Sequence, residues 1–271
     1  MTFLSFFFIF CLGAIVGSFL NVVILRYNTG RTIAGRSGCA QCGAQLRWFE
    51  LLPIGSFLIQ KGKCRTCGSS ISWQYPLVEL LTAILFVLNY YRFGIENLTT
   101  FVFSLVIWAL LVVILVYDMR HKIIPDAFVY AFIAFSFIAL FLPAHTGESF
   151  ASPSLNILLA GPLIALPFAF LWLVSGGRWM GFGDAKLALG IGWVLGITGG
   201  LSALFFAFWI GAVVSIVLVC VDYAQYAHAC ALSEVHGRFT MKSEVPFAPF
   251  LILGFAIVFF FNINLVAYLM G

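Results

Sequence analysis

The chain has 271 residues, of which 63% are hydrophobic and only 9% charged, and its formal net charge is +4. With a mean hydropathy of +1.09, it lacks the polar surface that a soluble domain of this length needs, so lipid is the solvent for most of it.

In chain order, the first apolar run, 3–25, reads as a retained anchor and not a signal peptide. No basic residue precedes it, and no short polar-flanked cleavage region follows. Hydropathy predicts about eight spanning helices, over 3–25, 76–92, 98–117, 127–143, 154–174, 185–200, 201–221 and 246–269. The span 76–92 is short and carries Glu79; 185–200 is short and rich in glycine. The expected fold is therefore an all-α polytopic membrane protein with a small insert between helices 1 and 2. Its domains are a first helix (1–25), an insert (26–75) and a membrane core (76–271).

Of the 14 Lys and Arg residues, all but Arg92 fall in 26–75, in the turns near 118–126 and 175–186, or in the loop 223–244. The positive-inside rule assigns these four segments to the cytoplasm and both termini to the outside.

The insert has too few apolar residues to build a core alone, so something must staple it. It contains Cys39-Ala-Gln-Cys42 and Cys64-Arg-Thr-Cys67. Each CxxC places two sulfurs on one tight turn, and two such pairs form a tetrahedral tetrathiolate site for which zinc is the default metal. Four thiolates leave no open coordination position, which makes the metal structural. Gly43 and Gly68 suit the turns. Cys11, Cys220 and Cys230 lie in or beside apolar runs and read as buried thiols.

Asp118 ends the apolar run 98–117, and Asp184 opens the glycine-rich span in Gly181-Phe-Gly183-Asp184-Ala-Lys186. The topology puts both at one depth, at the cytoplasmic ends of their helices. Two carboxylates so placed can share a proton and activate water against a peptide carbonyl. The glycines flanking Phe182 would let a substrate backbone approach closely.

These motifs resemble those of the bifunctional prepilin peptidases, membrane aspartyl proteases of the GxGD type. The resemblance runs through Gly17-Ser-Phe-Leu-Asn21, the two CxxC pairs and Tyr75-Pro-Leu-Val-Glu79. It continues with D-x5-[IL]-P-[DN] from Asp118 to Asp126 and GxGDxK from Gly181 to Lys186. It implies that Asp118 and Asp184 are catalytic and that Cys39, Cys42, Cys64 and Cys67 bind zinc. It also implies cleavage after a glycine in a type IV prepilin or pseudopilin, at the cytoplasmic face of a bacterial inner membrane, in the service of a type IV pilus or type II secretion. Methylation of the new N-terminus, usually phenylalanine, would follow with S-adenosylmethionine as donor. No nucleic-acid partner is expected. One departure stands out: Cys-Ala-Gln-Cys replaces the proline usual after the first cysteine.

Other residues fit less firmly. Glu79 lines a substrate or methyl-donor pocket or makes a helix–helix hydrogen bond, and Asn21 packs helices. Lys186 snorkels to the surface or holds the pilin, and Pro125 and Asp126 fix a turn. His121, His145, His228 and His236 form no cluster. A proton-coupled transporter would explain the acids but leave the cysteines idle; a scaffold would need neither aspartate.

Overall fold

A computed structural model describes residues 3–30, 32–142, 153–229 and 246–270. Arg31, His145, Cys230, His236, Arg238 and Lys242 lie outside the described residues, as do the side chains of Asp222 and His228. The elements are α1 (Phe3–Arg26), α2 (Gly55–Ile59), α3 (Gln74–Phe93), α4 (Leu98–His121), α5 (Asp126–Ala139), α6 (Leu155–Ser175), α7 (Phe182–Ala229), α8 (Ala248–Phe261) and α9 (Leu265–Met270), with a 3-10 turn over Trp48–Leu51. No β-strand occurs among the described residues, only the isolated bridges Gly38–Gln45 and Lys63–Ser70.

Helices α1, α3, α4, α6 and the stretch Phe182–Val221 of α7 are long and apolar enough to cross a membrane; α5 and α8 are shorter apolar helices. The protein is thus an all-helical, multi-pass membrane protein with a cysteine-rich insert between its first two spanning helices. Helix α7 is two arms. Gly196 has φ 73 and ψ −175, and a Cβ on Gly200 would stand 3.6 Å from the Cα of Gly192. Eight residues of straight helix would hold those two about 12 Å apart, so the chain doubles back at Gly196. The sequence expects this reversal at 200/201.

Two other boundaries shift. The expected span 246–269 is interrupted at Asn262, whose left-handed backbone (φ 54) caps α8. The second arm of α7 runs on to Ala229, into what the sequence reads as loop. Cys11 is half-buried and Cys220 exposed, so neither is the core thiol expected.

The chain divides into two compact units, Met1–Tyr117 with Ala127–Pro153, and Asp118–Asp126 with Ser154–Gly271. In the first, α1 lies directly on α3. A Cβ on Gly13 would stand 2.7 Å from the Cα of Ala83, and one on Gly17 would stand 2.8 Å from the Cα of Glu79. This Gly-x3-Gly spacing lets two backbones approach in lipid, where packing must replace the hydrophobic effect. Asn21 locks the seam by donating to the carbonyls of Gly17 (3.3 Å) and Tyr75 (3.1 Å), the packing role expected of it. Phe86, Tyr90, Phe101 and Leu105 form a buried cluster over which Phe6 and Ile9 fold.

In the second unit small residues do the same work. Gly192 meets the backbone of Ala160 and Gly161, and Gly254 meets the carbonyl of Ala203. Trp193 fills the space beside Gly161 and donates its indole N–H to the Leu158 carbonyl at 3.0 Å.

Candidate active site and candidate metal centre

The aspartate site lies within the second unit. Asp118 occupies the last turn of α4, which ends at His121 and is followed by Lys122 in a left-handed conformation (φ 55). Pro125 is buried, and Asp126 opens α5. Asp184 sits in the first turn of α7. Both carboxylates are buried, Asp118 to 4% exposure and Asp184 to 8%, and they lie within electrostatic reach of each other. The backbone N–H of Ala248, which opens α8, donates to Asp118. The other oxygen of Asp118, Oδ2, has no partner among the described residues.

Gly183 explains how the two motifs meet. A Cβ there would lie 2.9 Å from the Cβ of Ile124, in the turn that follows Asp118. The missing side chain is therefore taken up by the protein's own Ile124, not left for a substrate as the sequence suggests. Gly181 remains open, its nearest neighbours 3.9 Å or more away.

Lys186 binds Asp126 at 2.6 Å and lies 5.5 Å from the centre of the Phe182 ring. This ion pair ties the end of the first aspartate motif to the end of the second. Sequence reasoning missed it, and missed Ala248. The pairing of opposite charges at the two motif ends was a visible signal for the first; a backbone amide leaves none.

The insert belongs to the first unit. Its four cysteine sulfurs all lie within 4.8 Å of one another. The two CxxC turns are near-copies, 25 residues apart in sequence. Cys39 N–H donates to Ala44 O (2.9 Å) and Gly43 N–H to Cys39 O (3.0 Å); Cys64 N–H donates to Ser69 O (2.8 Å) and Gly68 N–H to Cys64 O (2.9 Å). Gly43 and Gly68 share φ 71, a conformation that glycine adopts freely.

The set fits a metal ion. A Zn–S bond of about 2.3 Å puts tetrahedral sulfurs about 3.8 Å apart, and the Cys39–Cys67 separation is 3.8 Å. Backbone amides of Cys42 and Gln41, with the Ser69 hydroxyl, pull the Cys39 thiol down to about 6. The Ser69 hydroxyl and then its amide lower Cys67 as well. Cys42 is pushed up to about 11: the Ala44 amide pulls it down, but desolvation and the Cys39 and Cys67 sulfurs outweigh that pull. Four thiolates this close repel one another, and a central cation relieves them.

Glu79 lies on the α1–α3 seam. Its Oε2 accepts the backbone N–H of Ile54, in the insert, at 2.7 Å, and Ser18 also bonds to it. Of the roles expected for Glu79, the helix–helix hydrogen bond is present, to Ser18 of α1, and a second bond joins α3 to the insert.

Fold and site define a class: a multi-pass helical membrane protein with paired buried aspartates and a cysteine-rich insert that can hold a metal ion. Two family models match it in series, the bacterial peptidase A24 N-terminal domain over residues 11–93 and the type IV leader peptidase family over 105–216. The chain is similar to proteins named prepilin leader peptidase/N-methyltransferase. That of Bacillus subtilis is 35% identical over 96% of both chains. That of Myxococcus xanthus is 37% identical over 78% of this chain and 62% of its own, and that of Xanthomonas campestris is 29% identical over 94% and 91%. No solved structure matches. The chain belongs to the type IV leader peptidase family.

Proposed function

We propose that this chain is a membrane aspartyl endopeptidase that removes the leader of type IV prepilins or pseudopilins after a glycine and then methylates the new N-terminus. The observation that carries the peptidase reading is the burial of Asp118 and Asp184 within reach of each other. One carboxylate takes a proton from water while the other, protonated, hydrogen-bonds the scissile carbonyl. The water oxygen bonds to the carbonyl carbon. Collapse of that adduct breaks the C–N bond, and the departing amine takes up a proton.

Cys39, Cys42, Cys64 and Cys67 hold a structural zinc that organises a domain over 26–75, between the first helix (1–25) and a membrane core (76–271). The distribution of Lys and Arg supports a cytoplasmic position for this domain and for the aspartates, with both termini outside, in a bacterial inner membrane. The substrate keeps its leader on that side and its apolar helix in the bilayer. The N-methyltransferase half is supported by the names of the relatives, and family resemblance makes S-adenosylmethionine the donor. No residue here is assigned to hold it.

The test is cleavage of a pilin-like precursor by purified protein in detergent. Asp118→Asn and Asp184→Asn are each expected to abolish cleavage with folding and zinc content unchanged. Full activity in either variant would sink the dyad. Loss of ion flux in place of cleavage would favour a transporter.

A further inference from the structure

The insert presents an apolar surface that neither the cysteines nor the aspartates use. Trp48, Leu51, Leu52, Leu58, Ile59 and Trp73 are 77%, 43%, 47%, 67%, 79% and 68% exposed. Six exposed large apolar side chains in so short an insert point to an interaction surface, and contacts within the first unit say where it lies. Helix α3 has 20 residues and is about 30 Å long, which is the thickness of the hydrocarbon core. It has no length to spare, so its first turn sits at the membrane boundary and Trp73, the residue before it, in the interfacial layer.

Two contacts then bind α2 to that level. Phe57 of α2 packs on Trp73, ring centres 4.9 Å apart. Glu79 lies five residues into α3, about 7 Å along the axis, and it holds the N–H of Ile54, the residue that opens α2. Ile54 keeps φ 60 and ψ −50, a costly backbone for a β-branched residue. The chain accepts that strain where it meets a membrane helix below its rim. Charge completes the pattern. Arg47 precedes Trp48, and Lys61 and Lys63 follow Ile59; all three are exposed. Basic residues bracketing an apolar stretch suit the phosphates of anionic headgroups.

We infer that the segment 48–59 rests in the boundary between headgroups and acyl chains of an anionic bilayer. Leu58 and Ile59 reach into lipid, while Arg47, Lys61 and Lys63 stay at the phosphates. The insert is then a membrane-seated module and not a domain free in water. This holds whether or not the aspartates are catalytic, because it rests only on the chain spanning a membrane.

The test uses the full chain in vesicles of phosphatidylethanolamine and phosphatidylglycerol. A spin label is attached to a genetically encoded keto amino acid at position 58, 59 or 70. Ser70 is exposed and bridges back to Lys63 at the base of the second CxxC turn, eleven residues beyond Ile59 and outside the segment 48–59. Each labelled protein is first shown to melt like the wild type. The ratio of collisions with oxygen to collisions with a water-soluble nickel chelate is expected to be several-fold higher at 58 and 59 than at 70. Equal ratios at all three positions would overturn the proposal. So would spin–spin broadening at 58 or 59, which would mean that a second copy of the chain covers the patch.

Discussion

Gly183 rests against Ile124, and a single added methyl group would stand 2.9 Å from the isoleucine's Cβ. Ile124 is six residues beyond Asp118 and Gly183 is next to Asp184, so this contact sets how closely the two aspartate motifs approach. Gly183→Ala forces one of them to move, at an overpacking cost of about 1–3 kcal/mol. Cleavage is expected to fall at least tenfold, with the loss mainly in kcat. Because the fault is steric, Gly183→Ala combined with Ile124→Ala should recover part of the rate. Steady-state kinetics on both variants check this; no recovery in the double variant would mean that Gly183 serves something other than packing.

The ion pair between Lys186 and Asp126 makes a weaker claim. Asp126 is 68% exposed, and a pair open to water on one side contributes about 0–1 kcal/mol. Asp126→Asn and Lys186→Gln are therefore expected to keep cleavage within a few-fold of wild type. A loss as large as that of the Asp118 or Asp184 variants would show that Lys186 acts on the substrate.

Most of this architecture was legible because lipid imposes a coarse rule, and long apolar runs obey it. The runs at α1, α4 and α6 were found nearly to their ends. The boundaries that moved did so where local backbone decides. Gly196, Gly199 and Gly200 are equally good hinge candidates by composition. The folded backbone distinguishes them: of the three only Gly196 has a positive φ, with nothing within 4 Å of a Cβ there, while Gly200 lies against Ile164. Asn262 was lost inside an averaged apolar window. The cysteine turns were legible through their spacing, whereas the contact of Gly183 with Ile124 joins segments almost sixty residues apart, and no local pattern announces it.

Purified protein is expected to carry about one equivalent of zinc by elemental analysis, and Cys64→Ser should lose it. Cys64 is the buried member of the set, so its sulfur is the hardest for water to replace. Because the insert lacks a core of its own, losing the metal should unfold it, seen as new protease cuts within 26–75. Substrate handling is expected to suffer more than the aspartate chemistry, as a raised KM. Unchanged proteolysis and kinetics in a zinc-free protein would refute a structural metal.

Glu79 offers a test of the link between α3 and the insert. Glu79→Leu leaves the Ile54 N–H without its acceptor, a loss of about 1–3 kcal/mol. Glu79→Gln retains an oxygen that can accept the same bond and is expected to cost less. Thermal unfolding in detergent ranks the two. If both melt like the wild type, the bond is not holding the strained Ile54.

Gly196 and Gly183 should fail for different reasons, and that contrast can be measured. At Gly196 there is open space around a would-be Cβ, yet φ 73 with ψ −175 lies in a region that is nearly glycine's alone. Gly196→Ala is expected to cost about 1–3 kcal/mol through backbone strain only. Asparagine, which tolerates the ordinary left-handed region, does not fit this one, so Gly196→Asn should be no milder. Trimming the neighbours cannot help either, because there is no clash to relieve. Melting temperatures of the two single variants decide the matter. A wild-type Tm for Gly196→Ala would mean that the chain reverses at another residue, and the two arms of α7 would need a different hinge.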